Sequence, residues 1–323
     1  VTRNRRKAAL AVLATLLCKE TFQYTQFVLT EPLFLATLGL FLWAWLAAWL
    51  QPEQKMRWVL AGIALGAVAL VKPAWSGLLA GLLLLLVCQA WCSRSQRRVF
   101  LLAVGPLILG YALIAVPLLL RNGVQLGLWS LSDPGYLTAS LAHRLAFNEM
   151  TWREWLMAWI YYLPSFGPAL GEALFGADAV MHLGWDKASY YAYGRDILHT
   201  QVLQLVGPQA GPGYLIQRYI IDDPIKNAAV TLLLLMRGIF VGGGWGALAM
   251  TLLLPALWLM RGEELRRWFV IALPALGIAL INAQASVNII RYNLALIPAF
   301  SLVFAAVLYC TIKWLDRRFR PQA

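Results

Sequence analysis

Residues 99–120 decide the fold class. They read Val99-Phe-Leu-Leu-Ala-Val-Gly-Pro-Leu-Ile-Leu-Gly-Tyr-Ala-Leu-Ile-Ala-Val-Pro-Leu-Leu-Leu120 and contain no charged side chain. A helix of this length crosses a hydrocarbon core about 30 Å thick. Comparable apolar stretches predict spans at 8–28, 32–50, 58–74, 76–91, 99–120, 244–260, 268–284 and 292–312. The sequence therefore predicts an all-α fold, a polytopic transmembrane helical bundle of about eight spans with added interfacial helices.

The composition excludes an ordinary soluble protein. The 323 residues are 61% hydrophobic and 13% charged, with a mean hydropathy of +0.66. Soluble domains are about half apolar and a quarter charged. A net charge of +12 would suggest nucleic-acid binding in a soluble protein. Here the basic residues flank the predicted spans, so we expect membrane lipid and no nucleic acid as partner.

The basic residues predict the topology of the chain. Counting the predicted crossings puts five Lys and Arg clusters on one side of the membrane, at 3–7, 55–57, 94–98, 261–267 and 313–320. The positive-inside rule makes that side cytoplasmic. We therefore expect a multi-pass protein of a bacterial inner membrane with both ends of this chain cytoplasmic. It divides into N-terminal transmembrane helices (1–120), a periplasmic loop (121–243) and C-terminal transmembrane helices (244–323).

Two parts of the predicted periplasmic loop are themselves apolar. Residues 152–180 are aromatic and broken by Pro164 and Pro168, and residues 224–241 begin at Pro224 behind two aspartates. Aromatic and basic residues suit helices that lie in the membrane interface. A short membrane hairpin is the alternative for each, because crossing parity permits an even number of extra spans.

Several polar residues fall at the predicted outer ends of the spans. Glu31 precedes the second span, Lys72 ends the third, Arg121 ends the fifth, and Arg291 and Tyr292 open the last. Charges close to the hydrocarbon are costly and often mark a functional site. Lys and Arg together would bind an anion such as phosphate, and a carboxylate beside them could act as a base or hold a metal.

Each of these residues also has a plain structural interpretation. Glu31 could cap the helix that Pro32 begins, and Lys72 could extend toward the interface. Arg121 could anchor a helix end, and Arg291 could pair with an acid of the loop. The hypothesis of a site depends on their convergence at one rim rather than on any single residue.

The loop contains few other residues or motifs that indicate a catalytic or metal site. His143, His182 and His199 lack the spacing of a metal pair, and we interpret them as solvated residues. We find no Ser-His-Asp pattern, phosphate-binding loop or dinucleotide fingerprint. The stretch Tyr190-Tyr-Ala-Tyr-Gly-Arg195 could stack on a sugar ring or belong to an interfacial aromatic belt.

Three motifs resemble the polytopic glycosyltransferases of the GT-C type. They are Thr30-Glu-Pro-Leu-Phe34, Gly62-Ile-Ala-Leu-Gly-Ala-Val-Ala-Leu-Val-Lys-Pro73, and Arg291-Tyr292 followed by Pro298. The chain is similar to the dolichyl-phosphate-mannose protein mannosyltransferases and the bacterial aminoarabinose transferases. Ile221-Asp-Asp-Pro-Ile225 also resembles the bacterial members.

The resemblance implies a transferase that faces the periplasm. Its donor would be a sugar on a polyprenyl phosphate, and its acceptor a glycan, a lipid or a protein. Lys72 and Arg291, with Tyr292 and Arg121 beside them, would bind the lipid phosphate. Glu31 would lie near the reaction centre, where a carboxylate activates the acceptor and the anomeric carbon inverts. A divalent metal ion stays an open alternative, and no other cofactor is expected.

The chain departs from this family at its beginning. The family's first outer loop carries the acidic residue regarded as catalytic, whereas this chain begins near the family's third span, at Val1. We therefore expect an N-terminally truncated fragment. The alternatives are a non-catalytic membrane subunit whose loop docks a partner subunit, and a lipid or solute transporter.

Overall fold

The fold is entirely helical in the part of the chain that the structure describes. That part of this computed structural model comprises residues 4–23 and 30–319, without the side chains of Phe22, Pro134, Ile290 and Arg291. The α-helices are α1 (Arg5–Leu17), α2 (Lys19–Gln23), α3 (Glu31–Leu50), α4 (Lys55–Val71), α5 (Leu78–Cys92), α6 (Arg97–Leu126), α7 (Pro134–Leu145), α8 (Trp152–Tyr161), α9 (Gly167–Phe175), α10 (Ala177–Val180), α11 (Tyr190–Ala192), α12 (His199–Ile216), α13 (Pro224–Ile239), α14 (Gly244–Thr251), α15 (Leu253–Leu259), α16 (Glu263–Ala285) and α17 (Leu296–Arg318).

Shorter helical segments complete the described chain. Five 3₁₀ segments cover Pro73–Gly77, Arg94–Gln96, Ala146–Glu149, Met181–Leu183 and Ile290–Asn293, and two π-helical segments cover Tyr193–Leu198 and Gln217–Ile221. The prediction of an all-α fold is thus confirmed for the described residues.

Five described helical stretches are long and apolar enough to cross a membrane. They are Glu31–Leu50, Pro73–Cys92, Arg94–Leu126, Glu263–Ala285 and Leu296–Arg318. A sixth would be added if α13 and α14 were one broken span. These helices are compatible with a multi-pass membrane protein, and the count of eight spans stays a prediction.

The remaining predicted spans differ from the helices for local reasons. The stretch 8–28 is interrupted at Cys18, whose backbone is extended, and residues 24–29 lie outside the described chain. The stretch 58–74 ends early at Val71, so α4 has 17 residues. The stretch 244–260 is divided into α14 and α15 at Leu252.

The chain divides into two compact units. Unit 1 comprises Val1–Val116, Val241–Ile278 and Asn293–Ala323, and unit 2 comprises Pro117–Phe240 and Ala279–Tyr292. Each unit has its own packing.

Helices α4 and α6 of unit 1 approach each other through glycine. A Cβ atom on Gly62 would overlap the carbonyl oxygen of Leu107, and a Cβ atom on Gly110 would overlap that of Val59. Small residues at a crossing point let two membrane helices pack backbone against backbone. The two glycines therefore fix the distance between α4 and α6.

One end of unit 1 collects the basic clusters. Lys7 of α1 forms an ion pair with Glu264 of α16 at 2.8 Å, and Asn4 donates a hydrogen bond to the Tyr309 hydroxyl of α17 at 2.8 Å. The Trp45 indole of α3 donates to the Val270 carbonyl of α16 at 2.9 Å.

Two further ring contacts bring the remaining clusters to the same end. Trp45 contacts Trp58 of α4 at 5.5 Å between ring centroids, and Trp49 contacts Phe100 of α6 at 5.2 Å. The N-termini of α1, α4, α6 and α16 and the C-terminal half of α17 thus share one end of unit 1, which we call the basic end.

Gly110→Ala tests the close approach of α4 and α6. The added methyl group meets backbone, which cannot move aside as a side chain can, so we expect a loss of about 1–3 kcal/mol in the free energy of unfolding. Thermal unfolding in detergent or nanodiscs measures it. Gly105→Ala is the control on the same helix, because a Cβ there meets nothing within 4 Å. Equal melting temperatures for the two variants would contradict the close packing.

Candidate functional site

Two prolines place Glu31 and Lys72 at helix ends in unit 1. Glu31 and Pro32 open α3, where a carboxylate is favoured by the helix dipole. Lys72 follows the last residue of α4, and its backbone is extended because Pro73 comes next. Residues 51–54 join α3 to α4, and the N-terminus of α3 lies beside the C-terminus of α4.

Glu31 and Lys72 form an ion pair. The Lys72 ammonium donates to Glu31 Oε1 at 2.9 Å, and the two residues are separated by 41 positions in sequence. The side chain of Glu31 is 3% exposed and that of Lys72 is 21% exposed. The ammonium also lies 5.9 Å from the centre of the Phe34 ring.

Aromatic rings form the floor of this pair. Phe34 contacts Trp75 at 5.6 Å and Trp75 contacts Phe41 at 6.0 Å, both edge to face, and all three are buried. An apolar floor lowers the local dielectric and strengthens charge interactions. The pair lies at the ends of α3 and α4 that are opposite to the basic end. The carboxylate and the ammonium largely neutralise each other. An ammonium has three N–H donors, so Lys72 can donate to a second acceptor while it remains bonded to Glu31.

The other predicted site residues belong to unit 2. Arg121 lies near the end of α6 and is exposed. Tyr292 lies in the segment Ile290–Asn293; its carbonyl accepts from Asn282 at 3.0 Å, and its ring lines a small cavity. The side chain of Arg291 lies outside the described residues. The structure thus brings Glu31 and Lys72 together, and the convergence of all five residues stays a prediction.

Glu154 of unit 2 is the centre of a network that the sequence analysis missed. Its Oε2 atom accepts from the backbone N–H of Thr151 at 2.7 Å, from the Thr151 hydroxyl at 2.7 Å and from the Tyr190 hydroxyl at 2.8 Å. Its Oε1 lies 2.9 Å from His182 Nδ1. An ionised carboxylate can only accept, so that nitrogen carries the proton.

This network sets the charge state of Glu154. Burial alone would raise the pKa of the carboxyl, but the hydrogen bonds from His182, Thr151 and Tyr190 outweigh burial and lower the pKa to about 2. Burial and the neighbouring carboxylate raise the pKa of Tyr190. His182, which we interpreted as a solvated residue, is thus held by a carboxylate through one ring nitrogen. The Thr151–Glu154 capping box was visible in the sequence; its extension to residues 182 and 190 was not.

Arg144 of α7 is a second buried charge that the sequence analysis missed. Its side chain is fully buried, and burial lowers its pKa. The guanidinium donates to the Ala283 carbonyl at 2.6 Å, to Asn148 Oδ1 at 2.8 Å and to Thr231 Oγ1 at 2.7 Å, with two longer bonds of 3.3 Å to Asn227. No carboxylate of a described residue pairs with it. Neutral acceptors from the Ala146–Glu149 segment, from α13 and from α16 surround the charge, so the residue has a structural role.

The described residues do not assemble a metal site. They contain no group of three or more His, Cys, Asp and Glu side chains that could hold a metal ion. His143 contacts the Tyr191 ring at 5.3 Å, away from the Glu154 network.

Comparison with known proteins gives no match, whether with protein-family models, with curated proteins or with solved structures.

Lys72→Met tests whether the ion pair with Glu31 stabilises unit 1. Removing the ammonium takes one charged partner away from a carboxylate that is 3% exposed, so we expect a loss of about 3 kcal/mol in the free energy of unfolding. The double variant Glu31→Gln with Lys72→Met removes both charges and should recover most of this loss. Thermal unfolding of the three proteins measures the coupling, and a double variant no more stable than Lys72→Met would refute it.

Glu154→Gln tests the network of unit 2 through its pH dependence. The folded pKa of about 2 lies below the ordinary value of 4.5. The carboxylate therefore stabilises the fold above pH 4.5 and loses this contribution as the pH falls toward 2. We expect Glu154→Gln to lose about 2 kcal/mol at pH 7 and much less at pH 3. The control Glu172→Gln changes an exposed carboxylate of α9 and should have no effect at either pH.

Proposed function

We propose that this chain is a membrane glycosyltransferase of the GT-C type, which moves a sugar from a polyprenyl-phosphate donor to a periplasmic glycan, lipid or protein acceptor. The observation that carries the proposal is the buried Glu31–Lys72 ion pair at the ends of α3 and α4 that are opposite to the basic end of unit 1. A carboxylate and a cation side by side, over an apolar floor, suit a reaction that moves a proton and releases a phosphate.

The distribution of charge supports the proposed orientation. The positive-inside rule assigns the basic end of unit 1 to the cytoplasm. Glu31 and Lys72 are then on the periplasmic side, because α3, with 20 residues, spans about 30 Å between the two ends. The bacterial inner membrane follows from the resemblance to aminoarabinose transferases.

Lys72 would stabilise the leaving group. When the donor phosphate arrives, the ammonium donates to a phosphate oxygen as well as to Glu31. As the bond between the anomeric carbon and the phosphate oxygen breaks, the electron pair stays on polyprenyl phosphate. The attraction between the Lys72 ammonium and the charge that develops there is stronger in a low-dielectric setting than in water.

Glu31 would act on the acceptor. Once the phosphate shares the ammonium, the carboxylate is less neutralised and becomes a better base. It takes the proton of the acceptor hydroxyl or amine as that atom attacks the anomeric carbon from the face opposite to the phosphate. The new glycosidic bond then has the inverted configuration. By the resemblance alone, Arg291, Tyr292 and Arg121 are further candidates for binding a lipid phosphate.

Binding of a polyprenyl phosphate to the purified chain in nanodiscs tests the proposal. We expect Lys72→Ala to weaken binding about tenfold or more, because a charge-assisted hydrogen bond is worth roughly 1.5–3 kcal/mol. Lys55→Ala is the matched control, since Lys55 opens the same helix at the basic end. Arg291→Ala should also weaken binding.

Folding and binding can be separated in this experiment. The double variant Glu31→Gln with Lys72→Met should recover stability and still bind the lipid phosphate poorly. Absence of binding by the unmodified chain, or equal binding by Lys72→Ala and Lys55→Ala, would overturn the proposal. Transfer of a radiolabelled sugar from the donor to an acceptor extract by the purified chain would exclude a non-catalytic subunit.

A further inference from the structure

Unit 2 contains a cavity of about 230 Å³ lined mainly by aromatic and small polar side chains, which we call the corner cavity. Helix α7 forms one wall and residues 286–292 form another. Its principal lining residues are Tyr136, Ser140, His143, Trp185, Tyr191 and Tyr292. Tyr136 is 65% exposed and Trp185 is 52% exposed, so the rim of the cavity lies at a surface.

Two rings that meet nearly at a right angle dominate the corner cavity. The centroids of Trp185 and Tyr191 are 5.1 Å apart and their planes differ by 70°. The His143 ring also contacts Tyr191, with the two ring centroids 5.3 Å apart. One ring can therefore cover the flat apolar face of a ligand while the second borders its edge.

Two cations contact the rings of this corner and restrict their positions. The Arg237 guanidinium lies 4.5 Å from the Trp185 ring and the Arg195 guanidinium lies 5.7 Å from the Tyr191 ring. Such stacking restricts the rotamers of both rings before a ligand arrives, so little entropy is lost on binding.

The polar groups of the corner cavity suit a ligand with hydroxyl groups. Ser140 already donates to the Ala285 carbonyl at 2.8 Å and Ser286 donates to the Asn282 carbonyl at 2.8 Å. Ser286 Oγ also accepts from the Asn288 N–H at 3.3 Å, and because a hydroxyl has two lone pairs each serine still offers a ligand an acceptor. Burial lowers the pKa of His143, as do His199 and Arg195, so its ring is neutral at pH 7 and has one donor and one acceptor. Hydroxyl groups both donate and accept.

Two other ligand classes fit less well. A quaternary ammonium group also binds among aromatic rings, but two guanidinium groups stack on these rings and no carboxylate lines the cavity among the described residues. A nucleobase favours parallel rings on its faces, whereas the planes of Trp185 and Tyr191 differ by 70°. The volume is below the roughly 300–1,000 Å³ of pockets that hold drug-sized ligands, so it accommodates one small ring.

We propose that the corner cavity is a carbohydrate subsite that binds a single uncharged pyranose ring. Its role, which rests on the proposed function, is to hold the sugar of the acceptor. Tyr191 is then the residue of the 190–195 stretch that contacts the sugar. Tyr190 is engaged by Glu154, and Tyr193 lines a separate cavity of about 400 Å³ with Tyr214 and Arg218.

Saturation-transfer difference NMR with methyl glucopyranoside and methyl mannopyranoside tests this subsite on the full chain. Lipid nanodiscs are used, because maltoside detergents would compete with their own sugar rings. We expect millimolar binding, weakened about tenfold by Trp185→Ala and by Tyr191→Ala. Trp185→Phe and Tyr191→Phe keep a ring and should retain most of the binding.

Two control variants give the experiment its specificity. Trp152 has the same 52% exposure as Trp185 but lies outside the corner cavity, and Tyr193 lines the larger cavity. Trp152→Ala and Tyr193→Ala should bind pyranosides normally. Absence of saturation transfer from any pyranoside overturns the proposal, as does loss of binding in Tyr193→Ala alone. Trp185-dependent binding of tetramethylammonium in place of sugar also overturns it.

The subsite and the proposed function can fail independently. Lys72→Ala should lose polyprenyl phosphate and keep pyranosides, whereas Trp185→Ala should lose pyranosides and keep polyprenyl phosphate. Both ligands are measured on the same preparations, with melting temperatures to verify folding. If the chain binds pyranosides but not polyprenyl phosphate, the result would support the carbohydrate subsite and contradict the proposed transferase function.

Discussion

The buried guanidinium of Arg144 is the interaction on which unit 2 depends. A charge without water must be surrounded by acceptors, and these come from the Ala146–Glu149 segment, α13 and the last turn of α16. The Ala283 carbonyl is the acceptor from α16. This bond, together with the packing of Ala283 and Val287 against Val230 and Leu233, joins residues 279–292 to unit 2. The two walls of the corner cavity, α7 and residues 286–292, are therefore held by one side chain.

Unit 1 is packed mainly through apolar contacts rather than around a buried charge. Its helices pack through small or apolar residues, as at Gly62 and Gly110, and its charges are mostly at helix ends. A helix in lipid satisfies its backbone internally, so apolar side chains can face either lipid or protein. The Glu31–Lys72 pair also lies at helix ends, but it is largely buried. The two opposite charges partly neutralise each other, and buried charges of this kind are where chemistry is expected.

The long apolar helices could be predicted from the sequence because hydropathy over about 20 residues is a strong local property. Residues 32–50 and 99–120 fall within α3 and α6. The interruption at Leu252 had a signal in Pro255, which has no N–H to donate to the Thr251 carbonyl. The interruption at Cys18 could not be predicted, since no helix breaker lies beside it. Glu31 and Lys72 were each identified from their positions at the ends of predicted spans, but not their contact, because it joins positions 41 residues apart. Arg144 and Ala283 are 139 residues apart, and only the tertiary structure relates them.

The segment from Tyr190 to Leu198 changes from an α-helix to a wider π-helix at Tyr193. Tyr190 meets Glu154, Tyr191 meets Trp185, and Tyr193 borders the larger cavity. A π-helical turn holds more residues than an α-helical turn, so the direction of each ring depends on the number of residues before it. Deleting or inserting one residue here would rotate all three tyrosines at once. Substitutions can be accommodated one at a time, whereas the length of this segment is fixed by three separate neighbours.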